Sequence, residues 1–321
     1  GRFAPSPTGR MHLGNIFTAL LAWLSVRSQG GRMLLRIEDL DPQRSRAAYA
    51  EQLRRDLGWL GLDWDEGPDA GGPAGPYVQS ARMGLYADAL NRLDRAGHIY
   101  PCYCTRKELR TLAGAPHVGD AGAAYPGTCR NLPPERRAEL EAAGRRPCIR
   151  LRCTSQNYAF EDAVFGPFSM TLEACGGDFA LRRSDGVIAY QLAVVVDDGL
   201  MGITQVVRGE DLLVSTPRQL ALFDLLGYPR PAYMHLPLLC DPEGERLAKR
   251  HASLTLASLR DAGVSPAAVA GYLGWKAGLI GALAPAHPRN LLPAFDPGRL
   301  RFLPERVLVE ADLTALLSVV C

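Results

Sequence analysis

The sequence opens with Arg2-Phe3-Ala4-Pro5-Ser6-Pro7-Thr8-Gly9-Arg10-Met11-His12-Leu13-Gly14-Asn15. The first three residues of this stretch have a strand pattern, and the prolines, serine and glycine that follow are typical of a turn. From Asn15 onward the apolar residues recur with helical spacing, at Phe17, Leu20, Leu21 and Leu24. The stretch therefore predicts a strand, a turn and a helix in succession.

A second buried strand is predicted after this helix. Gln29-Gly30-Gly31 ends the helix, and Met33–Ile37 is predicted to be a fully buried strand that ends in Glu38-Asp39. Two strands joined by a helix within about 40 residues form a βαβ unit, which requires a parallel sheet. We therefore expect a doubly wound α/β fold. In such folds ligands lie beyond the carboxyl ends of the strands, beside helix N-termini.

The composition is that of an ordinary globular protein. The 321 residues are 47% hydrophobic and 22% charged, and this length predicts two domains. The formal net charge of +2 is too small to indicate a nucleic-acid binder by itself. Most of the eight cysteines are scattered, which argues against a disulfide framework. The sequence has no apolar run of roughly 18 residues and no signal peptide, so we expect a cytoplasmic protein.

The turn at His12 is a candidate phosphate site. An imidazole can donate a hydrogen bond to phosphate oxygens, and the helix that begins near Asn15 adds the positive end of its dipole. Gly9 and Gly14 allow the backbone to approach a ligand closely. A lone turn histidine is more often merely solvated, but the surrounding βαβ pattern favours a functional role.

Four polar side chains are candidates for binding the charged groups of a small substrate. Glu38 follows the second strand and could hold an ammonium group or a ribose hydroxyl, although a helix-capping acid is the ordinary alternative. Arg2 and Arg208 lie at predicted strands and could bind carboxylates through paired hydrogen bonds, whereas most arginines are solvated surface residues. Tyr190 lies in Ile188–Val196, which we predict to be another strand of the parallel sheet; a tyrosine there is usually part of the core.

A cluster of cysteines suggests a structural metal site. Cys102-x-Cys104 and Cys129 lie in a turn-rich stretch, and thiolates are good zinc ligands. A tetrahedral site needs four ligands, and His98 or His117 would be the ordinary chemical choice for the fourth. Three free cysteines in the core are the alternative.

These motifs resemble those of the class I glutamyl-tRNA synthetases. The resemblance rests on residues 2–15, Arg36-Ile37-Glu38-Asp39, Val206–Asp211 and Arg246-Leu247-Ala248-Lys249-Arg250, and it covers residues 1–250. The last motif resembles the mobile loop whose lysine covers the ATP phosphates. Arg246 stands where a lysine is usual, and Ala248 replaces the usual serine and so removes a hydroxyl donor.

The resemblance implies a role for each matching residue. His12 and Lys249 would be catalytic, and the ATP-binding residues would be His12, Gly14, Asn15, Lys249 and Arg250. The glutamate-binding residues would be Arg2, Phe3, Ala4, Pro5, Ser6, Glu38, Tyr190 and Arg208. A structural Zn²⁺ would be held by Cys102, Cys104, Tyr125 and Cys129. Mg²⁺ is expected with ATP.

The resemblance also implies a domain layout. Residues 1–100 and 183–250 would form the two halves of the class I synthetase catalytic core, the second half carrying the lysine loop. Residues 101–182 would be a zinc-bearing insertion. Residues 251–321 would be a short helical C-terminal tail, too short for the large anticodon-binding domain of the full-length synthetases.

Three further segments narrow the resemblance to a truncated branch of this family. They are Glu38–Pro42, Val194–Asp198 and His235–Leu238. That branch implies activation of L-glutamate by ATP without tRNA, followed by transfer to the queuosine base in the anticodon of tRNA(Asp). We expect a monomer, since nothing in the sequence demands a dimer.

Two alternatives lie close to this interpretation. One is the catalytic fragment of an ordinary glutamyl-tRNA synthetase. The other is a catalytically silent tRNA-binding paralogue, for which Ala248 is the sequence hint. A small-molecule nucleotidyltransferase also uses a His-x-Gly turn, but it would not explain Arg2, Tyr190 and Arg208 together.

Overall fold

A computed structural model describes residues 1–105, 107–109, 125–247 and 254–320. The helices in these ranges are α1 (Leu13–Ser28), α2 (Ala47–Leu60), α3 (Met83–Arg95), α4 (Pro134–Ala142), α5 (Tyr190–Leu200), α6 (Thr216–Leu226), α7 (Leu256–Asp261), α8 (Pro266–Lys276), α9 (Pro288–Leu291), α10 (Pro297–Leu300) and α11 (Leu313–Val320). The strands are β1 (Arg2–Phe3), β2 (Leu34–Leu35), β3 (Ile99–Cys102), β4 (Cys148–Leu151), β5 (Asn157–Asp162), β6 (Gly166–Thr171), β7 (Ala180–Arg182), β8 (Gln205–Gly209), β9 (Ala232–Leu236), β10 (Leu238–Cys240) and β11 (Arg306–Leu308).

The central sheet has the strand order β2-β1-β8-β9-β5-β6. Its neighbours are parallel from β2 through β5, and only the edge pair β5–β6 is antiparallel. The opening strand–turn–helix–strand prediction is confirmed, because β1 and β2 pair in parallel on either side of α1 in the chain. The predicted α/β class with a largely parallel sheet is therefore correct.

Helix α1 is buried on nearly every side. Leu13, Ile16, Leu21 and Leu24 are fully buried, and Trp23 is almost so. These side chains share one hydrophobic core with residues of β8, β9 and the C-terminal helices. Because apolar packing holds the helix from all sides, its N-terminus has a fixed position at the carboxyl end of β1.

The prediction of a strand at Ile188–Val196 is wrong. Residues from Tyr190 to Leu200 form α5, and Leu192 to Asp198 within it are all buried. A segment that is buried on every side is a continuous apolar run in either conformation, so periodicity cannot distinguish a strand from a helix there. Tyr190 is consequently the first residue of a helix. The strand predicted at Arg208 is confirmed, because Arg208 lies in β8.

Residues 101–182, predicted as an insertion, divide between two sheets. Strands β3, β4 and β7 form a separate antiparallel sheet, which carries the cysteine cluster at its end. Strands β5 and β6 extend the central sheet, and Asp162 of β5 pairs with Tyr233 of β9. This stretch of chain is thus joined to the central sheet by strand pairing. The domain boundaries stay a prediction.

Beyond residue 254 the described chain is mostly helical. Tyr272 of α8 and Leu317 of α11 are fully buried in the core that contains α1. Strand β11 pairs in parallel with β10. Among the described residues, no helix has the length and apolar character needed to cross a membrane.

Candidate active site

A cavity of about 360 Å³ opens at the carboxyl ends of β1 and β8. Its lining includes most of the residues that the sequence analysis assigned to ATP and glutamate, namely Phe3, Ala4, Pro5, Ser6, His12, Gly14, Asn15, Glu38, Tyr190 and Arg208. Arg246 and Leu247 also line it. The fold therefore brings together residues from Phe3 to Leu247, a span of about three quarters of the chain.

His12 lies at the N-terminus of α1. It is the N-cap residue, and its backbone N–H donates a hydrogen bond to Oδ1 of Asn15 over 3.2 Å. A side chain at position 14 would lie about 3.1 Å from the imidazole, so glycine there leaves room for the ring. The positive end of the helix dipole and the histidine point to binding of an anion at this end of the cavity.

The residues that flank 248–253 lie at the cavity or beside it. Arg246 and Leu247 line it on one side, and Arg246 forms an ion pair with Asp211 at 2.6 Å. On the other side, Thr255 forms an antiparallel bridge with His12. The predicted ATP contacts Lys249 and Arg250 lie outside the described residues, as does Ala248.

Arg208 is held in place by a set of buried partners. Its Nε donates to Nε2 of His235 over 3.0 Å, its Nη1 donates to Oε1 of Gln219 over 2.7 Å, and its Nη2 donates to the Thr216 hydroxyl over 2.8 Å. A longer contact of 3.5 Å joins Nη1 to the Tyr190 hydroxyl. A guanidinium fixed in this way on the cavity wall is suited to recognise a carboxylate.

Glu38 provides negative charge at the cavity wall. It is 8% exposed, and its carboxylate accepts a hydrogen bond from Nη2 of Arg36 over 3.1 Å. Burial raises the pKa of the Glu38 carboxyl above its usual range, although the charges of Arg36 and Arg2 oppose this shift. A buried carboxylate of this kind is suited to bind an ammonium group.

Arg2 does not line the cavity. Its Nε lies 3.3 Å from the Asp198 carboxylate, and both side chains are buried. Arg36 contacts the same aspartate, with Nη1 only 2.6 Å from Oδ1. Arg2 therefore belongs, in this structure, to an ionic layer directly behind the substrate cavity, and its role in glutamate binding stays a prediction.

The sequence analysis missed most of this ionic layer. Asp197 accepts hydrogen bonds from Arg82 Nε over 2.6 Å, from Gln79 Nε2 over 2.7 Å and from the Tyr86 hydroxyl over 2.9 Å. Asp197 and Tyr86 are fully buried. One signal was available: Asp197-Asp198 follows a run of valines, and acids that end a buried apolar run need partners.

The cysteine cluster is assembled at the end of the small sheet. The sulfur atoms of Cys102, Cys104 and Cys129 all lie within 4.8 Å of one another. The Tyr125 hydroxyl lies 3.3 Å from Cys102 Sγ and 3.8 Å from Cys104 Sγ. The pKa of the Cys102 thiol is lowered to about 4. The largest cause is hydrogen bonding with the Cys148 thiol, and burial acts in the opposite direction. Four potential ligand atoms of the predicted set are therefore close together.

His98 is not part of the cysteine cluster, and His117 lies outside the described residues. The three thiols can hold a metal ion, since thiolate sulfur is a preferred ligand for zinc. Tyr125 occupies the position beside them that the family resemblance assigned to the fourth ligand.

Comparison with known proteins decides the family. Residues 1–279 match the model of the catalytic domain of class I tRNA synthetases (E and Q). The chain is 60% identical to the glutamyl-Q tRNA(Asp) synthetase of Nitratidesulfovibrio vulgaris, over 98% of this chain and 96% of that protein. It is 56% identical to the enzyme of the same name from Symbiobacterium thermophilum, over 97% and 96%. The chain belongs to the glutamyl-Q tRNA(Asp) synthetase family. It is therefore a ligase of the aminoacyl-tRNA synthetase type.

Members of the wider class I family share the fold. A glutamate tRNA ligase from Elizabethkingia meningosepticum, solved in complex with its amino acid, superposes with a TM-score of 0.82 at 28% identity. The match covers 98% of this glutamyl-Q synthetase family member and 68% of that chain. The glutamate–tRNA ligase 2 of Alkalilimnicola ehrlichii is 48% identical over 85% of this chain and 57% of its own length.

Proposed function

We propose that this chain uses ATP to activate L-glutamate in the absence of tRNA and then transfers the glutamyl group to queuosine in the anticodon of tRNA(Asp). The observation that carries the proposal is the set of residues that line the cavity. It combines an anion site at His12 with a fixed guanidinium at Arg208 and a buried carboxylate at Glu38. The sequence identity to two enzymes named for this reaction supports the choice of acceptor.

The activation step follows from this arrangement. A carboxylate oxygen of glutamate attacks the α-phosphorus of ATP, the bond to the pyrophosphate oxygen breaks, and glutamyl-adenylate and pyrophosphate are formed. His12 and the N-terminus of α1 would stabilise the charge that builds on the phosphate, together with Gly14 and Asn15. Mg²⁺ would accompany ATP and offset part of the phosphate charge. No enzyme nucleophile is needed, since the step depends on position and charge.

Glutamate would be held from three directions. Arg208 and Tyr190 would bind a carboxylate and Glu38 would bind the ammonium group, and all three residues line the cavity. The segment Phe3–Ser6 would complete the pocket. Arg2 is proposed as a glutamate contact on the sequence motif alone. Lys249 and Arg250 are proposed as the phosphate contacts of the loop, on the sequence motif alone.

An exchange assay tests the proposed function against its rivals. We expect glutamate-dependent exchange between ATP and labelled pyrophosphate without any tRNA, followed by transfer of labelled glutamate to tRNA(Asp) that contains queuosine. Transfer to the same tRNA without queuosine should be absent. Exchange that requires tRNA(Glu) would favour an ordinary synthetase fragment, and no exchange at all would favour a silent paralogue.

We also propose that the cysteine cluster holds a structural Zn²⁺ through Cys102, Cys104, Cys129 and Tyr125. The fit rests on three sulfur atoms and one hydroxyl that already lie together. Zinc would tie the end of β3 to the turn at Cys129, in a part of the chain that has a small core of its own.

Purified protein is expected to carry about one zinc per chain. Cys129→Ala should lose the metal and lower the melting temperature of the protein. Cys175→Ala is the matched control, because Cys175 is a buried thiol outside the cluster and its loss should leave the zinc content unchanged. Metal analysis and thermal unfolding measure both effects, and a metal-free protein of unchanged stability would contradict the site.

A further inference from the structure

We propose that His235 and Asp162 act as positioning residues for Arg208 in glutamate recognition. Asp162 would hold His235 in the tautomer whose Nε2 accepts the Arg208 Nε–H, and this contact would fix the angle at which the guanidinium meets the substrate carboxylate. The inference rests on the proposed function, because it assumes that Arg208 binds glutamate. Neither His235 nor Asp162 is needed for chemistry on the phosphate.

Asp162 is a rigid anchor for the histidine. Its Oδ1 accepts hydrogen bonds from the backbone N–H groups of Val164 and Phe165, each over 3.0 Å. Its Oδ2 lies 2.7 Å from Nδ1 of His235 and 3.0 Å from the backbone nitrogen of the same residue. The Asp162 and His235 side chains are both fully buried. The carboxylate is therefore held at its position by main chain from two segments.

This geometry determines the tautomer of His235. Burial raises the pKa of Asp162, but the hydrogen bonds from His235 and from the Phe165 N–H outweigh it, and the pKa is lowered on balance. An ionised carboxylate can only accept, so Nδ1 of His235 must carry the proton. Nε2 then presents a lone pair, and the Arg208 Nε–H lies 3.0 Å from it.

The remaining contacts of Arg208 are consistent with a guanidinium held for a ligand. Gln219 accepts a hydrogen bond from Nη1 and Thr216 accepts one from Nη2. The centroid of the Tyr233 ring lies 5.3 Å from the guanidinium carbon. The weakest contacts, to the Tyr190 hydroxyl at 3.5 Å and the Leu212 carbonyl at 3.4 Å, are those with which a substrate carboxylate can compete. Arg208 lines the cavity, whereas His235 and Asp162 do not.

The surrounding charges favour a neutral imidazole. The charged and titratable groups near His235 are Arg208, Asp162, Asp211 and Tyr233. Burial is the largest cause that lowers the pKa of His235, and the charge of Arg208 lowers it further. Asp162 and Asp211 act in the opposite direction. A neutral ring is the form that can accept from Arg208, because an imidazolium would present a donor and a positive charge to a guanidinium.

Substitution of His235 separates positioning from packing. His235→Phe fills the space but offers no acceptor, and we expect it to raise the KM for glutamate in pyrophosphate exchange by more than about tenfold. His235→Gln places an amide oxygen near the position of Nε2 and should recover much of the loss. His235→Asn keeps a donor for Asp162, cannot reach Arg208, and should behave like His235→Phe. The KM for ATP should change by less than about twofold in all three.

Tyr272→Phe controls for a general loss of stability. It removes a partly buried contact between a tyrosine hydroxyl and the Glu310 carboxylate in the C-terminal part, and it should leave the KM for glutamate unchanged. If His235→Phe does not fold, the comparison of His235→Asn with His235→Gln decides the question. Equal KM values for glutamate in these variants and the wild type, or a parallel rise in the KM for ATP, would overturn the positioning role alone. Wild-type protein without exchange would overturn the proposed function and this inference with it.

Discussion

Glu38→Gln is expected to lower kcat/KM for glutamate by about 100- to 1,000-fold, or roughly 3–4 kcal/mol. Glu38 is buried at the cavity wall, where its charge would face the substrate ammonium. Glutamine keeps the shape and can still accept the hydrogen bond from Arg36, so the change removes the negative charge and little else. The ammonium group would then be desolvated without an opposite charge.

Pyrophosphate exchange at saturating ATP measures this effect, and Glu310→Gln is the matched control. Glu310 also accepts from a cation, Lys276 at 2.6 Å, but lies in the C-terminal part of the chain. Its substitution should leave kcat/KM for glutamate within about twofold of the wild type. A loss of less than about fivefold for Glu38→Gln would exclude the carboxylate as the ammonium site.

The pKa of Glu38 separates a loss of binding from a loss of stability. Because the folded state raises this pKa, the folded protein holds the proton more tightly than the unfolded chain. The contribution of Glu38 to the free energy of unfolding is therefore largest below the unfolded pKa and is lost as the pH rises through the folded pKa. At pH 7 the glutamine variant should consequently be no less stable than the wild type, while its activity is low. Urea unfolding at pH 7 checks this.

The local signals in the sequence predicted the nucleotide end of the site well. The Pro-Ser-Pro-Thr-Gly run and the helical spacing after Asn15 determine β1, the turn and α1, and these elements place His12 at a helix N-terminus. Such patterns are local, because turn chemistry and helical periodicity involve residues within a few positions of one another. The pair Cys102-x-Cys104 is visible in the same way, through its short spacing, whereas Cys129 lies 25 positions beyond Cys104.

The glutamate end depends on contacts that no local pattern contains. Asp162 and His235 are 73 positions apart, and Arg2 and Asp198 are 196 apart. The first partnership follows from the sheet order, in which β9 lies between β8 and β5, whereas the second joins β1 to helix α5. The motif at His235 was visible, but nothing near it in the chain indicated that its ring would meet Arg208.

The error at Ile188–Val196 has the same origin. A run of valines favours a strand by intrinsic propensity, yet here it forms α5 because helix packing buries it on every side. Tertiary burial overrides the preference of a β-branched run. The consequence is functional, because Tyr190 reaches the cavity from the first turn of a helix rather than from the sheet.

Asp197→Ala is expected to lower the free energy of unfolding by about 3–5 kcal/mol, because it removes one partner from a buried ionic network. Asp197 accepts from Arg82, Gln79 and Tyr86, and a fourth group, Arg36 Nε, lies 3.6 Å away. The substitution leaves the Arg82 Nε–H and the Tyr86 hydroxyl buried without their acceptor, and an unsatisfied buried donor is costly. Urea unfolding measures the change. Glu139→Ala, in an exposed pair with Arg136, should be indistinguishable from the wild type.

The same variant should also weaken glutamate binding. Asp197 joins α5 to the start of α3, and the neighbouring Asp198 holds Arg2 and Arg36, the latter of which donates to Glu38. Loosening α5 therefore disturbs both Tyr190, at its first residue, and the layer behind Glu38. A stability loss without any rise in the KM for glutamate would mean that the network only holds the fold together. A rise in KM at temperatures well below unfolding would mean that it also aligns the substrate pocket.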